Sequence, residues 1–327
     1  NYDESTRHGY ISAYTWFPEG WAEYPIIWHD YSEENKFPFA LRLPKDNGLS
    51  REAVLIQQAN QSYYERLPVE IIESIFPSVE MDGKTFEHGI QEILSTSWNS
   101  DKPHIILLAD GGMGKSTMLL DACRKMDNAL YVSPESLLTI GYGIEEYSTH
   151  ELFDGRISRL RNFTRDKHSE PDLVLVVDGL NEVDGEAEQK FIPEIKRLNL
   201  QKGIQVIISS RSDFTPRYSM SGYHVSALQQ LSDEQVRTVF THEEWEEICE
   251  TPTLLHLLRN PMMLTMYKEV SPVIEKHSEI EFLNWKKPIQ TATDLLHNFY
   301  MSQIAVQMDR EGRTGDQIQK AARAVFD

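Results

Sequence analysis

The chain has 327 residues, enough for two or three domains and a well-buried core. Lys plus Arg total 32 against 51 Asp plus Glu, and the resulting formal charge of −19 disfavours a broad nucleic-acid-binding face or attachment to anionic membrane, leaving room only for a local basic groove. The two cysteines, Cys123 and Cys249, are too few for a disulfide framework or a Cys-based zinc site, which fits a reducing cytoplasm, and no apolar run approaches the roughly 20 residues of a transmembrane helix.

No signal peptide is visible. The chain begins with Asn1 and stops at Asp327 inside a helical pattern, as expected of a piece of a longer protein. Residues 1–75 read as an aromatic-rich module of unassigned role. Tyr10, Tyr14, Trp16, Phe17, Trp21, Tyr24, Trp28 and Tyr31 alternate with Pro18 and Pro25, which break any helix. These aromatics read as the core of a small irregular or β-rich module, with a recognition surface as the second reading. Only Arg7, Lys36 and Arg42 are basic before Lys45, so stacking on nucleic acid is poorly supported. His29-Asp30 forms no recognisable catalytic pair.

Residues 76–102 read as a helical lead-in, with Phe86, Ile90, Ile93 and Leu94 at helical spacing from Asp82 to Trp98. Then comes the most informative stretch, His104-Ile-Ile-Leu-Leu-Ala-Asp-Gly-Gly-Met-Gly-Lys-Ser-Thr117. A short apolar strand stops in a glycine-rich turn, and Lys-Ser-Thr opens a helix. Gly111, Gly112 and Gly114, with Met113 between them, let backbone N–H groups close around phosphates, and the helix N-terminus points its positive end at them. Lys115 is placed to reach the β and γ phosphates of a nucleoside triphosphate, and the Ser116 hydroxyl to complete a Mg²⁺ shell. The first position of the motif, usually Gly, is Ala109, which suits a tight turn unless φ is positive.

Further on, a helix over Lys115–Lys125, a strand near Ala129–Ser133 and a helix near His150–Phe163 precede Leu173-Val-Leu-Val-Val-Asp178. That continuous apolar strand reads as central in a parallel sheet, and Asp178 at its carboxyl end is the Mg²⁺-side acid. An Asp-Gly turn is the bland account of Asp178; the upstream glycine loop decides against it. Glu182 is the best candidate to orient the attacking water, although Asp184 and Glu186 are close by. A helix near Ala187–Leu198, a strand Ile204–Ser210 and a strand Tyr223–Leu228 complete a sheet running from about 103 to 228. Arg211 follows a strand end, which suits a γ-phosphate sensor; pairing with Asp213 is the alternative. Ser209 and Ser210 are placed to hydrogen-bond in the same region.

Beyond Leu231 the pattern is helical: a capping signal at Ser232–Gln235, then His242–Arg259, Met262–Tyr267 and Ala292–Met308, interrupted near Pro252, Pro261, Pro272 and Pro288. Asn260-Pro261 starts a helix by the plain reading, and the same geometry brings Pro261 against a nucleotide base by the other. No internal repeat is present.

Four motifs in this order, Gly111–Thr117, Asp178–Glu182, Ser209–Arg211 and Asn260–Leu264, resemble the NACHT group of STAND nucleotide-switch ATPases, nearer to bacterial members than to animal ones. The resemblance covers about residues 100 to 300. It implies an α/β fold with an ASCE-type parallel P-loop sheet in the order 5-1-4-3-2, flanked by helices, then a small helical domain and a winged helix. The implied boundaries are 103–230 for the nucleotide-binding domain, 231–288 for the helical domain and 289–327 for the start of the winged helix. ATP or ADP and Mg²⁺ are the implied ligands, with Lys115, Ser116 and Thr117 at the phosphates, Ser116 and Asp178 on the metal, Arg211 as sensor and Pro261 on adenine. Two positions depart from the family pattern: Ala109, and Asn181 where Asp is common, which puts the rate of hydrolysis in doubt more than binding.

By that resemblance the chain is expected to be a cytoplasmic signalling switch, closed with ADP and self-oligomerising with ATP, with slow hydrolysis, in bacterial antiphage defence. Its trigger is expected to be sensed by a region outside these residues. The competing reading is an AAA+-like ATPase that turns over continuously to do mechanical or loading work. A third makes residues 1–75 an effector enzyme regulated by the rest, but no catalytic constellation is present there.

Overall fold

A computed structural model describes the strand backbones at 2–3, 8–17 and 20–29, and residues 50–64, 75–87, 89–153, 155–183, 185–212, 222–311 and 317. The aromatic side chains of residues 1–49, Asp184, Asp213 and, in the expected winged-helix region 289–327, residues 312–316 and 318–327 lie outside the described residues or side chains. Contacts divide the chain into two units, Asn1–Arg51 and Glu52–Asp327.

In the first unit, β1 (Tyr2–Asp3), β2 (His8–Phe17) and β3 (Gly20–His29) form an antiparallel sheet in that order. Phe17 pairs with Gly20 and His8 with His29, which sets the register of β2 against β3. Pro25 sits in β3, an edge strand of this sheet, where a missing N–H breaks no inner ladder.

The second unit opens with α1 (Arg51–Tyr64), which the sequence reading had included in the module ending at 75. A hairpin follows, β4 (Val79–Met81) and β5 (Lys84–Phe86), then α2 (Ile90–Trp98). The hairpin corrects the expected helical lead-in from Asp82: Asp82 and Gly83 both take positive φ, 52° and 74°, as a two-residue turn between twisted strands requires. The alternating units are β6 (His104–Leu108), α3 (Lys115–Lys125), β7 (Ala129–Val132), α4 (Pro134–Ile140), α5 (Ile144–Phe153), α6 (Ile157–Phe163), β8 (Leu173–Val177), α7 (Gly185–Leu198), β9 (Ile204–Ser210) and β10 (Tyr223–Leu228). The single helix expected over His150–Phe163 is two: Gly155, at φ 74°, donates its N–H to Thr149 O at 3.1 Å and closes α5.

The sheet has seven strands in the order β5-β4-β10-β6-β9-β8-β7. It therefore differs from the expected five-stranded order, because the β4–β5 hairpin extends it with antiparallel pairing on the β10 side. The remaining strands are parallel; counted from β6 as the first, they stand fifth, first, fourth, third and second. Strands β8 and β9 are buried along their whole length, the signature of a sheet covered on both faces. Alternate residues divide between two cores: Ile106, Leu175, Val177 and Ile208 pack with Phe191 and Ile195 of α7, and Ile105, Leu107, Val176 and Ile207 with Leu119 of α3 and Ile93 of α2.

The third core belongs to the helices α8 (Asp233–Arg237), α9 (His242–Cys249), α10 (Pro252–Leu258), α11 (Pro261–Lys276) and α12 (Ala292–Glu311). The capping signal at Ser232 is a complete capping box with Gln235, and Thr241 forms a second with Glu244. Pro252 at the start of α10 separates it from α9.

His104 is 5 % exposed at the start of β6, and its Nδ1 accepts the Val206 N–H at 3.1 Å. Burial, reinforced by the Lys167 charge, pushes its pKa down to about 4. The folded protein keeps this ring neutral while the unfolded chain binds a proton near pH 6.5, so the contribution is full above pH 6.5 and is lost as pH falls towards 4. Urea unfolding of wild type and His104→Asn is expected to show a stability difference that narrows by about 3 kcal/mol between pH 7 and 4.

Candidate nucleotide-binding site

The glycine loop leaves β6 at the carboxyl edge of the sheet, where α/β folds gather their ligands. Ala109 is not among the positive-φ residues; its N–H donates to Ser210 O at 3.2 Å and its carbonyl accepts from Lys115 Nζ at 2.8 Å. An alanine therefore meets no strain where the motif usually has Gly. It is 4 % exposed and lies beneath the loop, not in the cleft wall. The demanding positions are Gly112, at φ 76°, and Gly114, at φ 81° as the N-cap of α3. No side chain caps α3, so its first-turn N–H groups are left for an anion, as a phosphate site requires.

A cleft of about 580 Å³ opens over this loop. Of the residues singled out in the sequence, Gly111, Gly112, Met113, Gly114, Lys115, Ser116, Thr117, Asp178, Glu182, Arg211 and Pro261 line it together. Burial pushes the Lys115 ammonium down, opposed by the carboxylates of Asp178, Glu182 and Asp110 and reinforced by Arg211. Those charges therefore converge on one lysine.

Asp178 ends β8 and is 7 % exposed. Its Oδ2 accepts from Tyr131 Oη at 2.5 Å, and its Oδ1 accepts from the Ser209 hydroxyl, which in turn receives the Gly179 N–H at 2.9 Å. Burial, with the Asp178 charge beside it, drives the Tyr131 phenol strongly upward, so it remains a donor. Glu182 closes a 3-10 turn, Leu180–Glu182, and its carboxylate folds over Gly179, where a Cβ would come within 2.7 Å of it. Asn181 on the same turn accepts from Ser210 Oγ at 3.1 Å and from the Arg211 N–H at 3.2 Å. The departure from Asp at 181 thus joins the acid-bearing turn to the residue placed as sensor. Asp110 accepts from the Ser212 hydroxyl beside it.

The Asn260–Leu264 motif also reaches the loop. Asn260 is the N-cap of α11, its Oδ1 accepting from Met262 N at 3.0 Å and Met263 N at 3.3 Å. Its Nδ2 donates to Gly111 O at 3.2 Å, and Met262 N also donates to Gly112 O at 3.0 Å. Pro261, at the first helical position, lies over Gly114. Asn260-Pro261 is thus the helix start of the plain reading, and Pro261 also lines the cleft. The apolar end of the cleft is Tyr64, Ile75, Phe76 and Pro77 together with Thr265, Met266 and Phe299. Nothing in the local sequence marks these residues, because they meet only when α1, the segment before β4 and the helices α11 and α12 assemble.

No family model matches the chain, and no curated protein matches it. Among solved structures, PCH-2 of C. elegans aligns over 80 % of this chain and 67 % of its own, at 12 % identity and a TM-score of 0.30. The fold assignment rests on the chain's own geometry: a mostly parallel sheet wrapped by helices, with a glycine loop between its central strand and an uncapped helix, is a P-loop nucleotide-binding fold. Among the described residues no helix is long and apolar enough to cross a membrane.

A Cβ at Gly112 would stand 2.9 Å from Asn260 Oδ1 and from Met262 Cβ, at a φ that disfavours L side chains. Gly112→Ala is expected to cost about 1–2 kcal/mol of stability and to weaken nucleotide affinity at least ten-fold. Ala109→Gly is expected to change stability by no more than about 1 kcal/mol and leave affinity near wild type, both read by thermal shift and a fluorescent nucleotide titration.

Proposed function

We propose that the chain is a nucleotide-dependent signalling switch of the STAND class, with ADP holding the closed form and ATP favouring an open form that self-associates. The observation that carries this reading is the clamp of α11 on the phosphate loop, through Asn260 to Gly111 O and Met262 N to Gly112 O. A nucleotide that changes the loop backbone changes the seat of the helical region directly. A ligand shifts a conformational equilibrium only through contacts that differ between states, and in this proposal the Asn260 and Met262 contacts are the ones that change.

In this reading Lys115 and the first-turn amides of α3 bind the β and γ phosphates, and Ser116 and Asp178 hold Mg²⁺. Mg²⁺, when bound, neutralises phosphate charge and fixes the phosphate oxygens. Glu182 orients water, Arg211 reads the γ-phosphate, and Pro261 packs on adenine. Asn181 is neutral and already accepts two hydrogen bonds, so it supplies neither a base nor charge to the metal. One acid at the turn and a neutral neighbour fit slow hydrolysis better than rapid turnover. Bacterial antiphage defence is the setting this proposal carries.

Denaturing purified protein and identifying the released nucleotide is expected to give near-stoichiometric ADP from wild type and none from Lys115→Ala. Light scattering is expected to detect larger assemblies only with a non-hydrolysable ATP analogue. Steady ATP turnover with free exchange and no change in assembly would instead favour a working ATPase.

A further inference from the structure

We infer that Tyr131, with Ser209, is a positioning residue for the metal-side acid Asp178, and that α1 holds Tyr131 in place. The inference rests on the proposed reading of Asp178 as the Mg²⁺-side carboxylate. One hydroxyl comes from β7 and the other from β9, the strands on either side of β8. Gripped at both oxygens from opposite sides, the carboxylate cannot rotate freely. A carboxylate has about four acceptor sites, so two hydroxyl donors still leave room for a cation or its water. Groups behind a metal ligand commonly set its orientation and basicity in this way.

Among the described residues β7 is the sheet edge, with no further strand pairing its outer backbone groups. Asn60 of α1, 0 % exposed, supplies both missing partners: its Nδ2 donates to Ala129 O and its Oδ1 accepts the Tyr131 N–H, each at 2.8 Å. The Tyr131 ring also packs on Tyr63 of α1, centroids 4.7 Å apart. Gln57 of the same helix donates to Cys123 O at 3.3 Å and Met126 O at 3.0 Å, at the end of the P-loop helix α3. Tyr64 then donates to Gln57 Oε1 at 3.0 Å and lines the cleft. A helix assigned by sequence to the N-terminal module is thus built into the nucleotide site, reaching the metal side through Tyr131 and the cleft wall through Tyr64.

The test uses the full chain as wild type, Tyr131→Phe and Ser209→Ala, titrated with N-methylanthraniloyl-ADP in EDTA and then across Mg²⁺ concentrations. Tyr131→Phe keeps the ring against Tyr63 and removes only the hydroxyl. Either variant is expected to bind the nucleotide in EDTA within about two-fold of wild type and to need about ten-fold more Mg²⁺ for half-saturation. Thermal unfolding identifies a misfolded Tyr131→Phe, in which case Ser209→Ala decides. A wild-type Mg²⁺ midpoint in a folded variant overturns the inference, as does an equal loss of affinity with and without Mg²⁺, which marks a merely structural role. If wild type itself binds no nucleotide, the proposed function falls and this inference falls with it.

Discussion

The carbonyl of Gly112 accepting the Met262 N–H is the contact on which the architecture of the site turns. A phosphate loop works by aiming its N–H groups at the ligand, so its carbonyls must point elsewhere and find donors of their own. Here the donors are the Asn260 amide and an N-terminal amide of α11. Helix starts carry unpaired N–H groups and loop carbonyls need partners, so each end satisfies the other. The requirement propagates outward. Gly112 is excluded from carrying a Cβ by Asn260 and Met262, and Pro261 at the first helical position sacrifices no hydrogen bond while presenting its ring to Gly114. Arg259, just before the clamp, is itself fixed by a two-pronged pair with Asp233 of α8 at 2.8 and 3.1 Å.

The opposite edge of the sheet poses a different problem with a related answer. A short, fully buried edge strand such as β7 is a hazard unless something covers it. A side-chain amide has one donor and one acceptor group spaced much like a peptide, and buried Asn60 acts as a one-residue strand against Ala129 and Tyr131. The consequence for chemistry is that the strand neighbouring β8 is held from outside, and its tyrosine hydroxyl donates to Asp178.

Between these two supports, Asn181 joins the turn after β8 to the end of β9. An Asp there would accept the same two hydrogen bonds but add a negative charge beside Glu182 and Asp178. The amide keeps the geometry and omits the charge. Residues at the carboxyl ends of β6, β8 and β9 are thereby tied together, by the Ser209 and Asn181 side chains and by the Ala109 N–H to Ser210 O, so a displacement at one is felt at the others.

The sequence by itself determined the parallel strands, the glycine loop and the placement of Lys115, Ser116, Asp178, Glu182 and Arg211 along one sheet edge. Those features are local: an apolar run, a glycine turn and a helix start within a few residues of each other, repeated in an order that a right-handed crossover turns into neighbours. Pro261 was legible as a helix start for the same reason. The β4–β5 hairpin was readable in principle from Asp82-Gly83, but the helical spacing of Phe86, Ile90, Ile93 and Leu94 masked it, since Phe86 faces that same core from a strand. Tertiary structure alone decided that Asn260 reaches Gly111, that Asn60 pairs with β7, and that Tyr64, Phe76 and Phe299 share one cleft. Each of these is a meeting between residues far apart in sequence. Their hydrogen-bonding capacity is ordinary, and only the burial that follows assembly makes their pairing obligatory.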